Sequence, residues 1–214
     1  MDAAVTDAIT LDEGIARLAL SPPEGATAKL ERYLALLAKW NRVYNLTAIR
    51  ESERMVTHHA LDALAIVPHL PARAGLRVID IGSGGGLPGI PIAIARPDAT
   101  VVLVDAVAKK AAFLAQAVIE LPLPNAQAVG ARIEEYVPAT PFDVAISRAF
   151  ADLATFARAA RPQLADAGLM FAMKGALPAD EIAALPAGVE VVATPRLHVP
   201  GLDGDRHLVV MRWR

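Results

Sequence analysis

The segment Val78-Ile-Asp-Ile-Gly-Ser-Gly-Gly-Gly-Leu-Pro-Gly89 restricts the fold of this chain more than any other. Residues 76–81 form a short apolar run of the kind that makes a buried strand. It ends in a glycine-rich turn, and a helix is expected to open at Pro88, since proline suits the first helical turn. Glycine is needed where backbone N–H groups must approach a ligand closely at positive φ, and the N-terminus of the next helix favours an anionic group. Strand, loop, helix and a downstream acid together make this a candidate nucleotide-type binding loop rather than a turn that only packs a helix on a sheet.

Strands and helices alternate beyond the loop. Strands are expected over 100–104, 126–129, 142–147, 168–173, 189–193 and 207–213, with helices over 108–121, 152–164 and 178–185. Such alternation predicts an α/β fold, a mostly parallel sheet with helices on both faces. The first third reads differently. Leu30, Tyr33, Leu34, Leu37, Trp40 and Tyr44 recur at helical spacing from Ala26 onward, and a second helix is expected over 51–68. Before them, Ile9, Leu11, Ile15 and Leu18 suggest a short helix that stops at Ser21-Pro22-Pro23. Three parts follow: an acidic segment 1–25, a helical extension 26–75 packed on the core, and a Rossmann-like domain 76–214.

Composition removes several classes of function. The chain has no cysteine, which excludes disulfides, thiolate metal sites and a cysteine nucleophile, and its five scattered histidines leave little for a metal site; none is expected. The longest uncharged apolar stretch, 81–95, is broken by five glycines and two prolines, so no spanning helix and no membrane partner are expected. Asp2, Asp7, Asp12 and Glu13 are unlike the basic start of a signal peptide, so a cytoplasmic protein is expected. The net charge of −2 hides a gradient, because residues 26–77 carry eight Lys or Arg against four acids. That stretch can face RNA backbone, whereas Trp40 and Tyr44 lie on the apolar stripe and are expected in the core rather than stacked on bases.

Two ligands compete for the loop. Gly84-x-Gly86-x-x-Gly89 with Asp105 21 residues beyond Gly84 satisfies the dinucleotide fingerprint, which keeps a nicotinamide-dependent oxidoreductase open as an alternative. Asp80-x-Gly82-x-Gly84 favours a methyl donor, because a carboxylate two positions before Gly82 suits a ligand with an ammonium group beside its anionic one. S-adenosyl-L-methionine has that pair. Asp105 ends its expected strand where a carboxylate can accept from both ribose hydroxyls. Arg132-Ile-Glu-Glu135 follows the third strand, where a loop can line an adenine site.

Several separate motifs resemble the RsmG (GidB) family of small-subunit ribosomal RNA guanine-N7 methyltransferases. Lys39-Trp-Asn-Arg-Val-Tyr-Asn-Leu-Thr47 is similar to the family's helical lead-in, His59-Ala-Leu-Asp62 to its next motif, and Asp80 to Gly89 to its cofactor loop. Ser147-Arg-Ala-Phe-Ala151, Met173-Lys-Gly175 and Pro200-Gly-Leu-Asp-Gly-Asp-Arg-His-Leu208 resemble later signatures. The resemblance implies a class I methyltransferase sheet of seven strands, the last antiparallel, and cofactor contacts at Gly82, Leu87, Ile133, Glu134 and Arg148. It further implies methyl transfer from S-adenosyl-L-methionine, leaving S-adenosyl-L-homocysteine, to N7 of a guanine in the decoding-region loop of 16S ribosomal RNA. The RNA would be met within the small subunit or an assembly intermediate, by a monomeric enzyme. Departures are small: Gly85 where Ala is frequent, Ala63 where Ser is common, and Asp205 where Glu is usual.

Guanine N7 carries no proton, so the transfer needs no general base. Arg148, just past the expected fourth strand, would orient donor or base, and Lys174 and Arg206, with Arg196 and His207 nearby, are candidates for phosphate contacts. A non-catalytic ribosome-assembly factor that keeps a donor site remains a further alternative.

Overall fold

The computed structural model describes residues 9–148 and 150–214; Asp2 and Asp7 of the acidic segment lie outside the described residues. Seven strands, β1 (Arg77–Ile81), β2 (Thr100–Val104), β3 (Ala126–Val129), β4 (Phe142–Ser147), β5 (Leu164–Lys174), β6 (Val189–Ala193) and β7 (His207–Trp213), form one sheet in the order β3-β2-β1-β4-β5-β7-β6. Strands β1 to β5 pair in parallel, and β7 runs antiparallel between β5 and β6. The chain steps outward from β1 to β3 and then returns to lay β4 on the other side of β1. That reversal opens a crevice at the carboxyl ends of β1 and β4, the place where open α/β sheets bind ligands.

The helices are α1 (Leu11–Arg17), α2 (Ala26–Tyr44), α3 (Ser52–Met55), α4 (Asp62–Leu64), α5 (Gly89–Ala95), α6 (Ala108–Glu120), α7 (Leu153–Ala160) and α8 (Ala179–Ala183). Alternate strand residues feed two apolar layers. Val78, Val101, Leu103, Val144 and Ile146 pack with residues of α2, α5 and α6, whereas Ile79, Ile81, Val102, Val104 and Ala145 pack with α7. Thr10 starts α1 with a capping box: Glu13 N donates to its hydroxyl, and its own N–H donates to the Glu13 carboxylate.

Three elements differ from the sequence reading. The helix expected over 51–68 is divided, because a π-helical turn, Val56–Leu61, joins α3 to α4 and a short 3-10 turn, Val67–His69, closes it. Hydrophobic spacing hardly separates these forms over so few residues. The helix expected to end at 164 stops at Ala160 and tightens into a 3-10 turn, Arg161–Gln163, since Pro162 has no N–H for a helical bond; β5 then begins earlier, at Leu164. Helix α5 opens at Gly89 with Pro88 in the capping position, one residue later than expected.

Trp40 is half-buried against the core, with its ring centre 5.6 Å from that of Phe113 and 5.2 Å from that of Tyr44, whereas Tyr44, at the end of α2, is exposed and does not take the core place expected of it. Among the described residues, no helix is long and apolar enough to cross a membrane.

Candidate functional site

Two cavities open at the carboxyl ends of the strands. The smaller, about 260 Å³, is walled by Ile81, Gly82, Asp105, Ile133, Glu134 and Phe150, among others. Of the glycine loop only Gly82 lies on its wall, and the loop's glycines answer to different constraints. Gly82 and Gly84 have φ of +73° and +57°, and a Cβ on Gly82 would meet nothing within 4 Å, so backbone conformation and open space, not crowding, call for glycine there. At Gly86 and Gly89 a Cβ would run into Ile90 and Leu103 respectively, so packing demands glycine at both, and at Gly86 a φ of +84° demands it as well. Tyr33 reaches from α2 to donate its hydroxyl to the Gly85 carbonyl at 2.5 Å, fastening the loop from below.

Asp80 is wholly enclosed. Its Oδ2 accepts the Gly89 N–H at 2.9 Å, and its buried Oδ1 has no protein partner. Burial pushes its carboxyl up to about 7. Asp80 therefore holds the loop from behind through one oxygen, and Oδ1 is the oxygen without a protein partner. Asp105 is likewise buried, with Oδ2 accepting from Gly84 N–H and Oδ1 from Val107 N–H, both at 2.9 Å. It ties the loop to the start of α6 while still facing the cavity. Each oxygen keeps a second lone-pair site for a hydroxyl. Ile133 and Glu134 sit on a 3-10 turn, Ile133–Glu135, held by Gln163 Nε2, which donates to the carbonyls of Ile133 and of Tyr136 just beyond the turn. Asp80, Gly84 and Leu87 are not on the cavity wall itself.

The larger cavity, about 400 Å³, is lined by Thr47, Ala48, Ile49, His58, His59, Asp62, Arg148, Met173, Lys174, Gly175 and Arg206. Arg148 Nη1 donates to the His58 carbonyl at 3.1 Å and lies 3.7 Å from Asp62 Oδ2. Arg206 Nε donates to Asp62 Oδ1 at 3.0 Å. Lys174 Nζ is held by both oxygens of Glu181, at 2.8 and 3.1 Å, so its charge is already neutralised and a free phosphate contact is a poorer role for it than the sequence suggested. Arg196 forms an exposed pair with Asp205 away from this wall, and His207 Nδ1 bonds the Gly175 carbonyl. His59 is buried; its Nδ1 lies 2.9 Å from the His58 carbonyl and its Nε2 2.9 Å from the Thr47 hydroxyl. A carbonyl can only accept, so Nδ1 carries the proton and Nε2 accepts from Thr47. Burial, with Arg148 adding to it, pushes the ring down to about 4.

Thr47, His58, His59 and Asp62 are the site residues that reading the sequence passed over. Asn41 builds their surroundings, accepting from Thr47 N–H and donating to the Ile49 carbonyl. The signal was present: Asn41 is a polar residue among the buried positions of an amphipathic helix, and two of the family motifs begin or end on these residues. Among the described residues no three His, Cys, Asp or Glu side chains gather as a metal set would.

A sheet of this order, with a glycine loop at its switch point and an acid ending the next strand, defines a class I S-adenosylmethionine-dependent methyltransferase. Residues 26–209 match the GidB family, rRNA small subunit methyltransferase G, and the chain belongs to that family. It is 54% identical over 201 residues to the ribosomal RNA small subunit methyltransferase G of Chromobacterium violaceum, covering 94% of this chain and 95% of the relative. It is 52% identical to the protein of that name from an Azoarcus species, covering 94% of each. Among solved structures, Aeropyrum pernix fibrillarin with natively bound S-adenosyl-L-methionine shares the fold, with a TM-score of 0.55 at 20% identity over 71% of this chain and 73% of that one. The dinucleotide reading falls with the family assignment. Two of its three glycines, Gly86 and Gly89, are needed for packing and carry no ligand preference.

Proposed function

We propose that this protein methylates N7 of one guanine in the decoding-region loop of 16S ribosomal RNA, with S-adenosyl-L-methionine as donor. The observation that carries the reading is a pair of cavities that each take a residue from just beyond β4: Phe150 walls the one beside the glycine loop, and Arg148 walls the one lined by guanidinium groups. Donor and acceptor sites on either side of one short segment suit a direct transfer between two bound molecules.

The residues fit the donor. Its ammonium and carboxylate ends suit the loop, where Asp80 Oδ1 lacks a partner and Gly82 leaves open space; Asp105 suits the ribose, and Ile133 with Glu134 the adenine. When bound, S-adenosyl-L-methionine supplies an electrophilic methyl group on a sulfonium centre. Arg148 orients the reactants, and no residue has to remove a proton, because N7 has only a lone pair to offer. His59 is in keeping with this, since both its nitrogens are engaged and burial keeps it neutral. Holding two reactants in near-attack geometry can lower a barrier by about 7–11 kcal/mol, which makes placement and exclusion of water the main contributions of the chain.

In this reading residues 26–75 are a helical extension that completes the acceptor cavity, and residues 76–214 form the donor-binding domain. The enzyme works as a cytoplasmic monomer on RNA carried in the small subunit or an assembly intermediate. The test is transfer of labelled methyl from the donor to small-subunit RNA of cells lacking the protein, naked and within subunits, followed by borohydride–aniline cleavage at N7-methylguanine. One new cleavage in the decoding-region loop is expected. Donor binding without transfer would favour a non-catalytic assembly factor instead.

A further inference from the structure

Asp62 is a charged side chain enclosed where the larger cavity is deepest in charge. It follows directly on the π-helical turn, a local widening of the helix often found at functional sites. Two guanidiniums from remote parts of the sheet converge on it, Arg148 from the end of β4 and Arg206 from the start of β7, strands separated by β5. A carboxylate this buried adds little to stability even when paired, and apolar side chains of similar volume often pack as well. Its geometry is instead that of a holder. Oδ1 takes Arg206 and Oδ2 faces Arg148, while the His58 carbonyl fixes Arg148 from the same turn. Both guanidiniums line the cavity; with Lys174 neutralised by Glu181 and His59 uncharged, these three groups leave the wall one positive charge in excess.

Resting on the function proposed above, we infer that Asp62 is a positioning residue: it holds Arg148 and Arg206 at fixed separation as one unit that grips the target guanine nucleotide, phosphate included. Arg206 meets the backbone anion and Arg148 faces the transfer centre. Asp62 touches neither reactant; it acts through the two arginines. Without its charge the guanidiniums repel each other and lose their common anchor. RNA binding and productive orientation then fail together, while the donor cavity, built from the glycine loop, Asp105 and the turn at Ile133, is left as it was.

The experiment compares wild type with Asp62→Asn, Asp62→Ala, Arg206→Ala and the double variant Asp62→Ala/Arg206→Ala, using small-subunit RNA in the form that wild type methylates. Three quantities are read: the donor dissociation constant by calorimetry, the affinity of the protein saturated with S-adenosyl-L-homocysteine for the RNA at fixed salt, and kcat/KM for methyl transfer. Asp62→Asn, nearly the same in shape, is expected to bind donor within twofold of wild type, to bind RNA about tenfold more weakly and to lose tenfold or more in kcat/KM. Acting through Arg206, Asp62→Ala should cost much less in the Arg206→Ala background than in wild type. Transfer by Asp62→Asn within twofold of wild type overturns the inference. So do fully additive losses in the double variant, or a fall in donor affinity as large as the fall in RNA affinity, each of which marks Asp62 as a structural residue only. If wild type itself transfers no methyl to the RNA, the function proposed above fails first and takes this inference with it.

Discussion

At the residue scale, two aspartates show how much a side chain's role depends on what surrounds it. Asp105 was readable because it ends an apolar strand run at a set distance from the loop. Its bonds to Gly84 and Val107 were not, since they depend on how β2 lies against β1. Asp105→Ala removes both anchors and the hydroxyl acceptor, so the donor dissociation constant should rise tenfold or more by calorimetry; an unchanged constant would reject the ribose assignment. Asp80 differs in having a proton to give up. Its pKa is about 7 in the folded chain against an ordinary 3.8, so between about pH 4 and 7 the native state holds a proton that the unfolded state has lost. Stability contributed by the protonated form is present at low pH and falls as pH rises towards 7, then levels off. Urea midpoints of wild type should decline over that window relative to Asp80→Asn, and parallel curves for the two proteins would count against the assignment.

At the element scale the π-helical turn is the decisive piece. It places His58, His59 and Asp62 on the larger cavity, and sequence spacing could not distinguish it from an ordinary helix because their apolar periods nearly coincide over six residues. His59 makes the turn sensitive to acid. Its pKa is about 4 in the fold against an ordinary 6.5, so between those values the unfolded chain takes up a proton that the native state refuses. Stability is full above about pH 6.5 and is lost as pH falls towards 4, opposite in sign to the effect of Asp80. The two slopes offset each other in wild type. His59→Gln should remove the acid-side loss, seen as a flatter urea midpoint between pH 6.5 and 4; the same slope in variant and wild type would show that the ring does not titrate as described. Strands were far easier to foresee than this turn. The runs 100–104, 126–129, 142–147, 189–193 and 207–213 coincide with strands because apolar residues bounded by turn residues specify a strand locally.

Across the whole molecule, one apolar layer joins the helical extension to the sheet. Leu30, Tyr33, Leu34, Leu36 and Leu37 of α2 are buried in the same cluster as Ile90, Leu103 and Phe113. At ~1.5–3 kcal/mol for each large side chain removed from water, α2 contributes on the order of 10 kcal/mol, comparable with the net stability of a typical domain. The chain cut to residues 76–214 should therefore show no cooperative thermal transition by circular dichroism and should elute as aggregate on size exclusion. A sharp melt of a monomeric fragment would show that the sheet stands without its helical lead-in. The same helix also reaches both cavities' surroundings, because its Tyr33 fastens the glycine loop and its Asn41 bonds the Thr47 backbone on the wall of the larger cavity.

The pattern of apolar runs, glycines and strand-end acids was enough to specify the α/β fold, the glycine turn after its first strand and the family, because each is encoded by residues close together in the chain. The inward-facing Asp80, the neutralised Lys174, and the convergence of Asp62, Arg148 and Arg206 come from segments between seven and 144 residues apart. Contacts of that kind depend on which strands become neighbours and how their ends are staggered, and only the packed sheet establishes either.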